Sequence, residues 1–450
     1  MISHSEINMA EEPTTQPQAA PQWLYWLSLA LIFVAPGQYA HALDPKHGPF
    51  IAYADVAAVL VVGVWALWAL ASGQWRSLNW APCHIWALII VAGISGLGAA
   101  SVKGAAMEII QLGLYFVAVY MLFTNVLTTD ARRRQAVRTL LLATSLVVLY
   151  GLVQYVTAGD PAAVKSTFGS RGAYSGFLTI ILPLFFGLVL WSDRLWERYW
   201  AGAVIVVGGL TILLPPLVWI LALVLVLTVV RWGRGQMTVA TVVAVAVFLL
   251  VSLALAPLNQ KALHEMLNPY EEGPVYKTME AGSGAEGAAT DGNAPRQPIV
   301  KKRWIEWMPA LTMMAQNFPL GIGTGNYQLN IGQPEFYGFL PNVHKSEPDT
   351  NNLFLVIGST MGFAGLVCLL AFMGHYWQQT TALWMYGQSP WGRALTCGLW
   401  GMALAIPCAN LLTSTFVRGT ALIWALGYAL IASLARDAAA RTVTDRSSSP

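Results

Sequence analysis

A chain in which apolar residues run unbroken for about twenty positions, again and again, has few folds open to it. Each run matches the roughly 30 Å hydrocarbon thickness of a bilayer when it is helical. About twelve such runs are readable, near 22–40, 51–72, 83–101, 108–127, 136–157, 172–191, 199–213, 215–230, 236–256, 352–376, 392–413 and 419–435. They are continuous rather than alternating, which excludes a β-barrel, whose outward and inward residues alternate along each strand. The expected fold is all-α, a polytopic membrane helical bundle of about 12 transmembrane helices. Composition agrees, with 56% apolar residues, 10% charged residues and a mean hydropathy of +0.55, far from the average of a soluble domain. Pro215-Pro216 leaves the adjoining runs open to three readings: two helices, one kinked helix, or a re-entrant turn.

The remaining composition narrows the partners. Residues 1–21 contain Glu6, Glu11 and Glu12 but no Lys or Arg, so they lack the basic start of a secretory signal and are expected to remain as a tail. Cys83, Cys368, Cys397 and Cys408 are unclustered, which argues against a zinc site or a disulfide framework. A net charge of +3 implies no nucleic-acid partner.

Charge between the runs sets a topology. Arg132, Arg133, Arg134 and Arg138 crowd one connection, which the positive-inside rule assigns to the cytoplasm. Alternation then puts Arg76, Arg194, Arg198, Arg231, Arg234, Arg393, Arg436, Arg441 and Arg446 on the same side, along with both chain ends (1–21 and 436–450). The spans 22–256 and 351–435 then flank a polar stretch, 257–350, that faces outward, into the periplasm of a bacterium. Lys46, Lys103, Lys165, Arg171 and Arg418 fall on that outward side. Against the topological preference, such residues are candidates for anion binding or for simple snorkelling at the interface.

The polar stretch gathers what the spans lack. Within it, 271–297 is rich in Gly, Ala, Glu and Pro and reads as flexible. From 300 to 316 helical spacing returns, with Trp304, Trp307, Met308, Leu311 and Met314 on one face behind a basic start, Lys301-Lys302-Arg303. That pattern predicts an interfacial amphipathic helix. Gly321, Gly323 and Gly325 then alternate before Asn326-Tyr327, giving either a plain turn or a backbone that lets a ligand approach closely. No Lys-Ser or Lys-Thr follows at phosphate-loop spacing, so nucleotide binding is not indicated.

Arg303-Trp304-x-x-Trp307, the segment Pro319-Leu320-Gly321-Ile322-Gly323-Thr324-Gly325-Asn326-Tyr327, and Asn351-Asn352-Leu353-Phe354-Leu355 continuing to Gly362-Phe363-Ala364-Gly365 occur in that order. In order and local motif the chain resembles the O-antigen ligase and O-antigen polymerase family; Arg171-Gly172 before Leu182-Pro183 is a further, looser likeness. The resemblance implies transfer of a glycan from an undecaprenyl-diphosphate donor to a hydroxyl of an acceptor glycan, glycolipid or protein, with no cofactor, nucleotide or metal. Where the family carries a histidine this sequence has Asn351, which cannot accept a proton near neutral pH.

On this reading Asp349, His344 and Glu347 are the candidate catalytic bases. Arg171, Arg303, Arg418 and Lys345 are candidates for the diphosphate, with Lys301 and Lys302 beside them. Gly323, Gly325, Asn326, Tyr327, Asn351 and Asn352 are candidate substrate-binding residues. Each has a plainer reading: Asp349 as a helix cap, Glu347 as a partner of Lys345, His344 as a solvated loop histidine, and Trp304, Trp307 and Tyr327 as belt aromatics. Two other function classes compete. A non-catalytic component of polysaccharide assembly fits Asn351. A secondary transporter fits the helix count, but the large insert lies late rather than between two similar halves.

Overall fold

The computed structural model describes residues 20–38, 40–42, 50–158, 164–212, 215–232, 270–272, 298–300, 302–330, 336, 350–384, 389–415 and 418–448. The described chain is helical. Its helices are α1 (Gln22–Val34), α2 (Tyr53–Ala71), α3 (Cys83–Gly96), α4 (Val102–Val126, with a π-helical stretch at Gly113–Val119), α5 (Asp130–Ala158), α6 (Arg171–Trp191), α7 (Leu195–Thr211) and α8 (Pro215–Trp232). They continue with α9 (Lys302–Gln316), α10 (Leu353–Thr360), α11 (Gly362–Leu383), α12 (Pro390–Asn410) and α13 (Arg418–Ser448). Two antiparallel pairs of three-residue strands join them, Ala40–Ala42 with Phe50–Ala52 and Tyr270–Glu272 with Pro298–Val300.

Five helices among the described residues are long and apolar enough to cross a membrane by length and composition: Tyr53–Ala71, Val102–Val126, Asp130–Thr157, Arg171–Trp191 and Gly419–Ala439. Gln22–Val34, Cys83–Gly96 and Pro216–Trp232 are apolar but shorter. The expected count of about twelve is therefore reached only in part. The run at 236–256 lies outside the described residues, and α11 dilutes its apolar character with His375, Gln378, Gln379, Thr380 and Thr381. The run expected at 352–376 is two helices, broken at Met361 and Gly362. At Pro215 the chain makes two separate helices. Tyr174 near the start of α6 bonds Thr211 at the end of α7 (2.7 Å), and Trp191 at the end of α6 donates to Trp232 O at the end of α8 (3.2 Å), so α7 and α8 run in opposite directions along α6.

Local chemistry explains the helix starts. Ser101, Ser170 and Ser389 each cap a helix by accepting from a backbone N–H three residues on, at Gly104, Ala173 and Gly392. Close packing of α6 on α12 depends on absent side chains: a Cβ on Gly187 would lie 2.2 Å from Ala394 O, and one on Gly398 2.2 Å from Leu184 O. Small residues at such crossings let helix backbones approach within a membrane, where apolar burial alone drives little association.

The bundle has two chemically different ends. At one, Arg133 is buried against Asp130 (2.9 Å), Asp437 and Ser433, while Arg134 and Arg138 converge on the buried carboxylate of Glu197 at 2.7 and 2.5 Å. Arg134 also holds Asp193 (2.6 Å) and keeps that carboxyl below its ordinary range, chiefly through this hydrogen bond. Arg132 donates to Ala20 O and Val126 O, Arg436 donates to Thr124 O, and Arg393 lies over Trp191. Basic residues far apart in sequence thus share the end formed by the starts of α1, α5, α7 and α12 and the ends of α4, α6, α8 and α11. Exposed Trp23, Trp75, Trp80 and Trp196 sit at that same level, as an interfacial aromatic belt does.

Candidate functional site

At the far end, the corner between α3 and α4 receives the glycine-rich turn that follows α9. Gly321, Gly323, Gly325 and Gly362 all have positive φ, between 67° and 101°, a region that costs other residues free energy. Space is as restrictive as torsion. A Cβ on Gly321 would lie 2.4 Å from Ser359 O, one on Gly323 2.6 Å from Ala99 Cα, and one on Gly325 2.5 Å from Gly104 O. The backbones are then joined by Ile322 N to Ser359 O (2.9 Å), Gly323 N to Thr360 O (3.0 Å) and Ala364 N to Pro319 O (3.3 Å).

Side chains complete the clip. The Ser95 hydroxyl faces both Leu320 O (2.8 Å) and Thr360 O (2.7 Å), and Thr324 Oγ1 donates to Ala92 O (2.8 Å). Asn326 is fully buried; its Oδ1 accepts from Ser101 N (2.7 Å) and its Nδ2 donates to Thr324 O (2.8 Å). Tyr327 is buried with Ala310, Met313 and Phe336. Gly323, Gly325 and Asn326 thus meet the protein's own backbone, and Tyr327 packs in a small core cluster.

The clip aligns two helices. Trp307 Nε1 donates to Thr350 O (3.2 Å) just before α10, Met314 Sδ occupies the space beside Gly358, and the turn after α9 bonds Ser359 and Thr360 at the end of α10. So α9 and α10 lie side by side in the same direction, with α10 alongside the C-terminal half of α9. Helix N-termini carry partial positive charge, and Lys302 and Arg303 open α9. The buried face of α9 is Pro309, Ala310 and Met313, and Leu311, on the face read as interfacial, is exposed.

Asn352 caps α10, its Oδ1 accepting from Leu355 N (3.2 Å). Asn351 sits at φ +50°, the left-handed region that Asn tolerates better than most side chains. Arg171 is the first residue of α6, directly after its Ser170 cap. Arg418 begins α13, where Gly419 is pressed against Ala35 O and Ala54. Both starts lie at the far end, where Thr167 Oγ1 bonds Pro36 O (2.7 Å) and Gln38 bonds Thr420 (2.5 Å). His344, Lys345, Glu347, Asp349 and Lys301 lie outside the described residues, as does most of 271–297.

Sequence reasoning missed the receiving corner, Ser95 to Gly104. Its signal was the small-residue run Gly98-Ala99-Ala100-Ser101 closing an apolar stretch. Also missed was Asp55, in the first turn of α2, which accepts from Ala52 N (2.8 Å) and from the Tyr115 hydroxyl on the π-helical stretch of α4.

Residues 215–370 match the family model described as O-antigen ligase, a range that includes α9, the clip, α10 and the start of α11. Over that range the chain is similar to the O-antigen ligase family. Members of that family are membrane glycan ligases and polymerases, and the long apolar helices of this chain agree with a membrane protein. Comparison with curated proteins gives no match.

Proposed function

We propose that the protein is a bacterial inner-membrane glycosyltransferase, moving a glycan from an undecaprenyl-diphosphate donor to a hydroxyl of an acceptor glycan, glycolipid or protein, as a ligase or a polymerase. The observation that carries this reading is the O-antigen ligase match over 215–370, within which the end of α9, the glycine-rich turn and the end of α10 pack on the α3–α4 corner, opposite the arginine cluster. With the arginine end in the cytoplasm by the positive-inside rule, the matched helices α9 and α10 and the stretch 257–350 belong to the periplasmic side.

The reaction needs little. As the bond between the sugar's anomeric carbon and the diphosphate breaks, negative charge grows on the leaving group, and Arg171, Arg303, Arg418 and Lys345 are the cations assigned to it. The N-terminal ends of α9 and α10 point the same way and add partial positive charge. A carboxylate or imidazole from Asp349, Glu347 or His344 takes the proton of the acceptor hydroxyl as the new glycosidic bond forms. Asn351 takes no proton; it holds a backbone turn and can orient a sugar hydroxyl.

The test is glycan profiling of a deletion strain complemented with the wild type, Asp349→Ala, His344→Ala or Arg303→Ala, each first verified in the membrane. Accumulation of lipid-linked repeats or unattached chains on deletion supports the reading, and the variant that reproduces the defect identifies the base. Unchanged surface glycans in chain length and attachment reject it in favour of transport. Loss of glycan transfer on deletion that all three substituted proteins restore in full points instead to a non-catalytic component.

A further inference from the structure

We infer that Ser95 and Asn326 are positioning residues for the transfer reaction, and that the corner between α3 and α4, outside the matched range 215–370, is the seat that sets the geometry of the site. The inference rests on the functional reading above.

The hydroxyl of Ser95, buried on α3, shares its single hydrogen between two carbonyls of different segments, Leu320 O in the turn after α9 (2.8 Å) and Thr360 O at the end of α10 (2.7 Å). Asn326 joins the same turn to the start of α4 through Ser101 N (2.7 Å), and Ser101 in turn caps α4 at Gly104 N (3.2 Å). Both contacts lie at the C-terminal ends of α9 and α10, whereas Arg303 and Asn351 lie at or before the N-terminal ends. Ser95 and Asn326 are both buried, and their side-chain polar atoms bond within the protein.

Leverage makes this arrangement consequential. At 1.5 Å per residue, the 15 residues of α9 place its first turn about 20 Å from the clip. A tilt of about 5° at the clip therefore displaces the cationic end by about 2 Å, and misplacement by about 1 Å can cost on the order of a hundredfold in rate. Loosening the seat should thus lower turnover while the hydrocarbon tail of the donor still binds.

The experiment uses full-length protein in lipid vesicles, with the native cysteines replaced by alanine and a spin label on Leu329→Cys, an exposed position beside the clip. Wild type, Ser95→Ala, Ser95→Thr and Asn326→Ala are compared for label mobility and for transfer from undecaprenyl-diphosphate-linked glycan. The expected result is greater mobility and at least a tenfold lower kcat in Ser95→Ala and Asn326→Ala at nearly unchanged KM for the donor, with Ser95→Thr restoring both. Full kcat in Ser95→Ala and Asn326→Ala despite a mobile label overturns the positioning role. An immobile label in both variants overturns the seat itself. Absence of transfer by the wild type, with its label immobile, overturns the functional reading and the positioning role together, and is distinguished from the other failures by that immobile label.

Discussion

Replacing Gly362 by alanine should release the clip, and the structure gives the size of the effect. A Cβ there would lie 2.0 Å from Pro319 O, 2.4 Å from Pro319 C and 2.6 Å from Gly321 N, with φ at +67°. Carbon rarely approaches a carbonyl oxygen closer than about 3.3 Å, so the turn must retreat by more than about 1 Å. Retreat breaks the bonds from Ile322 N to Ser359 O, Gly323 N to Thr360 O and Ala364 N to Pro319 O, now 2.9, 3.0 and 3.3 Å long. Three bonds at about 1 kcal/mol each, with roughly 1 kcal/mol for a non-glycine residue in the left-handed region, give about 4 kcal/mol. That is close to a thousandfold in the opening equilibrium of the turn. Hydrogen exchange of peptides covering 317–326, in protein held in lipid vesicles, reads it directly. Gly374→Ala in the same helix α11, where an added Cβ meets nothing within 4 Å, is the control and should leave exchange unchanged. Equal exchange in the two variants refutes the packing argument.

Other consequences concern stability. Gly398→Ala drives a methyl to 2.2 Å from Leu184 O and should cost about 3 kcal/mol through overpacking, seen as a lower thermal midpoint than Gly374→Ala. Glu197→Gln should cost about 3 kcal/mol, because Arg134 and Arg138 lose the buried carboxylate on which they converge; denaturation of the purified protein measures it. Asp193 has its pKa depressed by Arg134, so its contribution is present above the unfolded carboxylate range and lost as pH falls through the folded value. The half-exposed carboxylate, 47% accessible, limits that contribution to under about 1 kcal/mol. Asp193→Asn should remove this part of the acid sensitivity, and an unchanged pH profile of unfolding would count against it.

Apolar length made the helices legible, because covering the bilayer requires long continuous runs whatever their partners. Boundaries moved where tertiary contacts intervened. The run at 83–101 stops as a helix at Gly96 because the next residues form the seat, and the run at 108–127 begins six residues earlier, at Val102, because Ser101 caps it. The break at Gly362 was invisible as a break, since its cause is Pro319, more than forty positions away. For α9, periodicity picked out the face of Trp307, Met308, Leu311 and Met314, whereas the buried contacts with Tyr327 and Phe336 fall on Ala310 and Met313, because those partners lie later in the chain. The alternating glycines were recognisable as a special backbone, but one sequence holds no sign that Ala99 and Gly104 press against them. Asn351 illustrates the other direction: its identity weakened an inherited catalytic role, and its left-handed backbone supplies a local reason for asparagine.

The proposed function is that this chain itself transfers a lipid-linked glycan at the end of the bundle opposite its arginine cluster. Purified full-length protein in vesicles, given a labelled undecaprenyl-diphosphate-linked glycan and an acceptor glycolipid, should release undecaprenyl diphosphate and label the acceptor or lengthen the donor chain, and Arg303→Ala should reduce turnover by a hundredfold or so, the loss expected when one charge-stabilising donor is removed. Folded protein that binds the donor yet forms neither product, with any acceptor supplied, would contradict it.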